Sequence, residues 1–190
     1  MKFSLASALG VGVVSYTEFV EIELAEPMEV EKAALALDAA LPRGIRVLAA
    51  DAVDTHHAAL MSQAAGASYR VTLPYSEDVS AAVAEFNAAP ELLFKKAAPK
   101  TKAKFKEIDV KFYIPQLTAE QTETETIFSF DCKITPTGSM KAVDLLNALN
   151  EQYGLALPVE MADIARLRLY RNNKNGKPIP MLNSDAVTLG

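Results

Sequence analysis

Lysine is the residue type whose spacing in this chain can do chemistry. Residues 95–111 read KKAAPKTKAKFKEIDVK: seven lysines against two acids, a local net charge of +5. The whole chain carries −5, so the other residues sum to −10. A basic segment on an acidic protein acts on partners and encounter rates more than on fold. Lysine ammonium groups pair phosphate oxygens without reading sequence, and each neutralised phosphate releases counterions. Lys95, Lys96, Lys100, Lys102, Lys104 and Lys106 are therefore placed to track an RNA backbone. Predicted strands add Arg70, Lys133, Arg166 and Arg168 at polar-parity positions, with Tyr170 as a ring on which a base can stack. The plainer reading of the same lysines is a solvated hairpin that keeps the protein soluble.

Other chemistry-bearing residues form weaker patterns. His56 and His57 are adjacent, and neighbours on a helix point about 100° apart, so they are poor joint metal ligands. A surface pair is expected, even with Asp51 and Asp54 close in sequence. Gly138-Ser139, with Lys141 nearby, reads as a helix start; it is a cap first and an anion site second. Cys132 is the one cysteine, which excludes an intramolecular disulfide framework and a Cys-based zinc site. It shares strand parity with Phe128, Phe130 and Ile134, so it reads as a reduced core thiol. No Ser/His/Asp set, Cys/His set or phosphate-loop glycine pattern is present. No catalytic residue, metal or other cofactor is expected.

These residues need a frame. At 190 residues the chain suits one ordinary domain or two small ones. Half the residues are hydrophobic and there is no Trp, so the core is built mainly from Ala, Leu and Val. Residues 17–24 alternate, with Val20, Ile22 and Leu24 opposed to Glu21 and Glu23. Glu18 falls on the apolar parity and reads as a frayed strand start. Glu26-Pro27 opens a helix with an apolar stripe of Val30, Ala33, Ala34, Leu37 and Leu41. Residues 45–53 read as the next strand and 55–65 as a short helix. A second unit begins with a strand at 69–73 and a helix from Ser76 to about Ala89. Strands follow at 92–96 and 105–113, the latter with Ile108, Val110 and Phe112 inward. Residues 115–125 read as a polar, acidic loop and 127–135 as a strong strand. A helix runs from Gly138 to about Tyr153, and a last strand spans 164–171 with Leu167 and Leu169 inward. NNKNG at 172–176 is a turn, and the remaining tail reads as loose.

The expected fold class is α+β, with ferredoxin-like α/β sandwich units in tandem and the first incomplete. The expected division is a partial unit at 1–66, a second unit at 67–172 carrying the basic hairpin arm at 95–111, and a tail at 173–190.

Met1-Lys2 followed by FSLASALGVGVV has the outline of a short signal peptide and is too short to span a membrane. A wider pattern reinterprets it. SLASALGVGVVSYTEFVEIELAEPM is followed by LDAALPRGIRVL, LMSQAAGASYRVTL, KFKEIDVK, TGSMKAVDLL and RLRLY. In this order the chain resembles the radical SAM-linked domain family of unknown function, found fused to or encoded beside cobalamin-type radical SAM proteins. Family members carry an upstream segment with a His-Leu-Asp motif and an Asn-Pro-His-Pro motif, neither of which is present here. The resemblance thus implies an N-terminally truncated member and turns the apolar start into an internal strand and loop. One cysteine cannot hold a Cys-x3-Cys-x2-Cys cluster, so any radical chemistry belongs to a partner. The implied tandem layout also looks like that of CRISPR repeat-processing endonucleases, an analogy of fold that transfers no activity.

The expected function is a non-catalytic accessory module that binds RNA or a ribonucleoprotein. The alternative is an interaction or substrate-delivery partner of a radical SAM protein. A cytoplasmic location and no membrane contact complete the reading.

Overall fold

The computed structural model describes residues 2–54, 56–98 and 104–189. In chain order the elements are β1 (Lys2–Leu5), β2 (Val13–Ser15), β3 (Val20–Glu23), α1 (Val30–Ala40), β4 (Ala49–Ala50), α2 (Leu60–Gln63), β5 (Gly66–Pro74), α3 (Ser80–Ala88), β6 (Leu93–Ala97) and β7 (Phe105–Asp109). Then come α4 (Val110–Tyr113), β8 (Leu117–Gln121), β9 (Glu125–Thr135), β10 (Gly138–Ser139), α5 (Ala142–Tyr153), a 3-10 turn (Val159–Met161), β11 (Asp163–Asn172), β12 (Pro178–Pro180) and β13 (Val187–Thr188). The fold class is α+β, as expected. The chain divides into two compact units, residues 1–7, 19–64 and 170–190 in the first, and 8–18 and 65–169 in the second.

The second unit is built on β5 and β9. They pair antiparallel along their whole length, from Gly66 opposite Lys133 to Pro74 opposite Glu125. Val71 faces Phe128, Tyr69 faces Phe130 and Ala67 faces Cys132, so the apolar positions of both strands share one side. Against that side pack Val79, just before α3, Phe86 of α3, and Leu145, Leu146 and Leu149 of α5. Each fully buried side chain of this size contributes about 1.5–3 kcal/mol. The opposite side carries Ser68, Arg70, Thr72, Ser129, Asp131 and Lys133, none of them fully buried. β8 pairs antiparallel with the far edge of β9, and β5 neighbours β11. Chain order β5-α3-β8-β9-α5-β11 and spatial order β8-β9-β5-β11 give the β-α-β-β-α-β layout of a ferredoxin-like sandwich. β2 runs parallel beside β11, Val13 opposite Ile164.

Several local expectations change. The strand expected at 92–96 does not join this sheet; β6 pairs with β7 as a separate two-stranded hairpin. The sheet strand is β8, inside the segment expected to be an acidic loop. Side chains hold it: Asn87 donates to Leu117 O at 2.8 Å and accepts from Leu117 N at 2.9 Å. Gln121 accepts from Val79 N at 3.1 Å and donates to Glu77 O at 2.7 Å. α3 starts at Ser80, after Val79, and not at Ser76. Gly138-Ser139 pairs with Thr135 and Ile134 as β10, so α5 begins after Lys141. Gly154, with φ of 67°, ends α5 in the left-handed conformation that favours glycine.

In the first unit β1 and β3 pair antiparallel, Phe3 opposite Ile22 and Leu5 opposite Val20. Ala34 is the buried residue of α1. The strand expected at 45–53 shrinks to Ala49–Ala50, which pairs with β13. Its apolar flanks Ile45, Leu48 and Val53 are exposed; among the described residues β4 pairs with β13 alone. The tail expected to be loose carries β12 and β13. β12 pairs with the end of β11, Tyr170 opposite Pro180, and Met181 is buried.

Candidate nucleic-acid interface

The basic run lies on the β6–β7 hairpin. Phe94 stands opposite Ile108, Lys95 opposite Glu107, Lys96 opposite Lys106 and Ala97 opposite Phe105. Directly opposed residues share a face. One face therefore holds Phe94, Ile108, Lys96 and Lys106. Phe94 is buried in the core of the unit and Ile108 packs against it. Farther along, the Lys96 ammonium pairs with the Asp144 carboxylate of α5. The other face is open, with Leu93, Lys95, Glu107 and Phe105 exposed, Phe105 to 60%. Lys95, Lys104 and Lys106 are exposed, and among the described residues none meets a carboxylate. Lys100 and Lys102 lie outside the described residues.

β7 stops at Asp109 for a local reason. The Asp109 carboxylate accepts from Lys111 N at 3.0 Å and from Leu92 N at 3.2 Å, capping one helical turn. A continuous strand puts Phe112 inward and Lys111 outward. The turn reverses this: Lys111 is buried and Phe112 is 50% exposed. Lys111 Nζ donates to Phe86 O at 2.9 Å and Pro115 O at 2.6 Å, and sits 4.4 Å from the centre of the Phe86 ring. Burial pushes this ammonium below the usual lysine range, with Asp109 opposing. Phe112 instead meets the Lys133 ammonium, 5.3 Å from its ring centre, and packs edge-on against Tyr113.

On the side of the sheet opposite the core, Arg70 and Lys133 are exposed as expected. Arg168 is exposed too; its Nε donates to Ser68 Oγ at 2.9 Å, and that hydroxyl also bonds Asp131. The face is thus mixed in charge.

Two expected site residues are corrected. Arg166 is 1% exposed and cannot meet RNA. Its Nε donates to Glu18 Oε1 at 2.8 Å, its Nη2 pairs with Oε2, and its Nη1 donates to Ala8 O at 3.3 Å. The cause is β2, which lies along β11 and carries Glu18 to the guanidinium. Glu18 is this arginine's counter-ion and not a frayed strand end. Tyr170 is 8% exposed, opposite Pro180 in the first unit, so its ring offers no stacking platform. In the second unit the exposed aromatics beside lysine are Phe105 and Phe112. Phe105 was legible, because Lys104 and Lys106 flank it; Phe112 required the helical turn.

The remaining groups keep to ordinary roles. Cys132 is buried, its thiol 3.5 Å from Met140 O, and burial pushes it up to about 11. His57 lies in a loop, its Nε2 3.0 Å from Glu21 Oε2 and its Nδ1 against Asp54 O. Among the described residues, no three His, Cys, Asp or Glu side chains are grouped to hold a metal ion. No described helix is long and apolar enough to cross a membrane.

Comparison with known proteins gives one family. Residues 1–145 match DUF2344, described as an uncharacterized protein conserved in bacteria. No curated protein and no solved structure matches the chain.

Proposed function

The chain belongs to the bacterial DUF2344 family, and from that premise we propose that its second unit is a non-catalytic module that binds single-stranded RNA on the β6–β7 hairpin. The observation that carries this is the open face of the hairpin, where Lys95 shares a face with the exposed ring of Phe105, Lys104 precedes it in the chain, and Lys106 is exposed on the opposite face. Ammonium groups neutralise phosphates, and an exposed ring stacks any base. Lys133 over Phe112 repeats the pairing of cation and ring in the same unit.

The test is binding of unstructured RNA by the full chain across roughly 50 to 200 mM salt, where phosphate contacts dominate the change in affinity. Lys104→Glu with Lys106→Glu is expected to weaken binding at every salt concentration. Two lost contacts flatten the slope of log K against log salt by roughly 1.4. Unchanged affinity and slope, with a native circular dichroism melt, would sink the reading.

A second reading, docking on a radical SAM protein, follows the resemblance noted above. It is supported by the β1–β3 ribbon, which leaves Phe3, Leu5 and Val20 exposed on one face. A stoichiometric complex in a pull-down from the same genome is its readout.

A further inference from the structure

We propose that the pocket between the β6–β7 hairpin and the β9–β10 turn is an anion site for a phosphomonoester. Its source, the terminal phosphate of a bound strand, rests on the reading of the hairpin as an RNA-binding surface. The lining described for this pocket comes from the second unit alone. Lys96 and Lys106 both line it and stand directly opposite each other on the face of the hairpin that carries Phe94 and Ile108. Like charges so placed repel. Asp144 meets Lys96, while the Lys106 ammonium has no partner among the described residues. No carboxylate is among the described residues of the lining. An anion held between the two ammonium groups turns their repulsion into attraction.

Donors without acceptors point the same way. Tyr113 and Ser139 bring a hydroxyl each, and neither hydroxyl has a partner among the described residues. Thr137 also lines the pocket, but its proton is spent. Thr135 Oγ1 donates to Gly138 O at 2.8 Å, so in its 3.0 Å contact with Thr137 Oγ1 the proton comes from Thr137. These two bonds brace the turn that carries Ser139. An ammonium has three N–H donors, so Lys96 keeps donors beyond the one directed at Asp144. Sequence alone gives Gly138-Ser139 an anion role through the backbone of a helix start. The helix starts farther on, and the Ser139 hydroxyl takes up that role through a side chain.

Size then selects within the class. The pocket holds about 140 Å³, the room of roughly five waters at about 30 Å³ each. That admits a tetrahedral oxyanion and falls below the roughly 300–1,000 Å³ of sites for whole small ligands, so a nucleoside stays outside. A phosphomonoester brings three terminal oxygens and one substituent to leave through the mouth. A phosphodiester brings two such oxygens and a chain on both sides. The monoester also carries about −1.5 to −2 charges at pH 7, against the two lysines.

The experiment has two arms, both on the full chain. In fluorescence anisotropy, one unstructured RNA sequence carries a 5′-phosphate, a 3′-phosphate or hydroxyls at both ends. One phosphorylated strand is expected to bind about tenfold tighter than the hydroxyl strand, the scale of one hydrogen bond to a charged group. Tyr113→Phe with Ser139→Ala removes two hydroxyls and no charge, and is expected to bring that ratio near one. In heteronuclear NMR at constant ionic strength, inorganic phosphate is expected to shift the amides of Tyr113 and Ser139. Equal binding of the three RNAs without those shifts overturns the site and leaves the hairpin reading standing. Shifts with equal binding of the RNAs keep the anion site and overturn the strand end as its source. Shifts without any RNA binding keep the site for a small phosphomonoester and overturn the hairpin reading. A ratio that survives the double variant in folded form overturns the site, and silence in both arms overturns both readings. The wild-type arms need no variant, so a misfolded one does not blunt the test.

Discussion

Lys111, Lys96 and Lys104 share a short run of sequence, and each does something different. Lys111 satisfies two carbonyls inside the unit, Lys96 is tied to Asp144, and Lys104 is exposed. Neighbours decide which charge reaches a partner, and composition does not reveal neighbours. His57 is the clearest titrating case. Both ring nitrogens face oxygen acceptors, Asp54 O and the Glu21 carboxylate, an arrangement that both N–H groups of the imidazolium complete. The Asp54 carbonyl contributes most, then Glu21, and together they raise its pKa above the ordinary histidine value. Raised binding of the proton in the folded state means the contribution to stability is complete below about pH 6.5, the unfolded value. It is lost as pH rises through the folded value. An NMR titration of His57 is expected to give a midpoint above that of an unfolded peptide, and Glu21→Gln is expected to lower it. A midpoint at the peptide value, unmoved by Glu21→Gln, would refute the arrangement.

Among the elements, β8 shows what a side-chain amide can do for a weak strand. LTAEQ offers Leu117 and Ala119 as its apolar positions, too little alternation to be read as a strand. Asn87 of α3 satisfies both the N–H and the C=O of Leu117. Replacing Asn87 with Ala leaves two backbone groups beside a buried residue unpaired, at about 1–3 kcal/mol. Urea unfolding is expected to show a lower midpoint with an unchanged m-value; no shift in midpoint would remove the clamp from the account. By contrast β5, β9 and α5 were legible, because Val71 and Leu73, Phe128 and Phe130, and Leu145, Leu146 and Leu149 repeat at strand or helix spacing. The strand expected at 105–113 was half right. Nothing in its alternation shows that the Asp109 carboxylate turns the chain. The candidate site followed the same division: the lysines were legible as a group, while the loss of Arg166 depends on a contact with a residue far away in sequence and the gain of Phe112 on the helical turn that Asp109 caps.

For the whole molecule, the acidic balance and the basic hairpin set opposite demands. RNA is repelled by a net charge of −5 unless the local lysines are closer than the screening distance. That distance is about 8 Å at physiological salt, short enough for the hairpin to be felt before the rest of the chain. The Arg166–Glu18 pair has a consequence of another kind, one of timing. Its partners are separated by 148 positions, so the contact closes a loop of most of the chain. Such closures come late, because the entropy of a long loop must be overcome before the contact rewards it. Residues 8–18 belong to the second unit, yet they precede the rest of it by some fifty residues, and their strand pairs with β11, the last strand of that unit. The segment therefore joins a sheet already assembled. In stopped-flow kinetics, Glu18→Ala is expected to speed unfolding and leave the refolding rate nearly unchanged. A slowed refolding rate would place the N-terminal segment in the folding nucleus instead. On a ribosome the same order makes residues 8–18 the first part of this unit to emerge and the last to find its place.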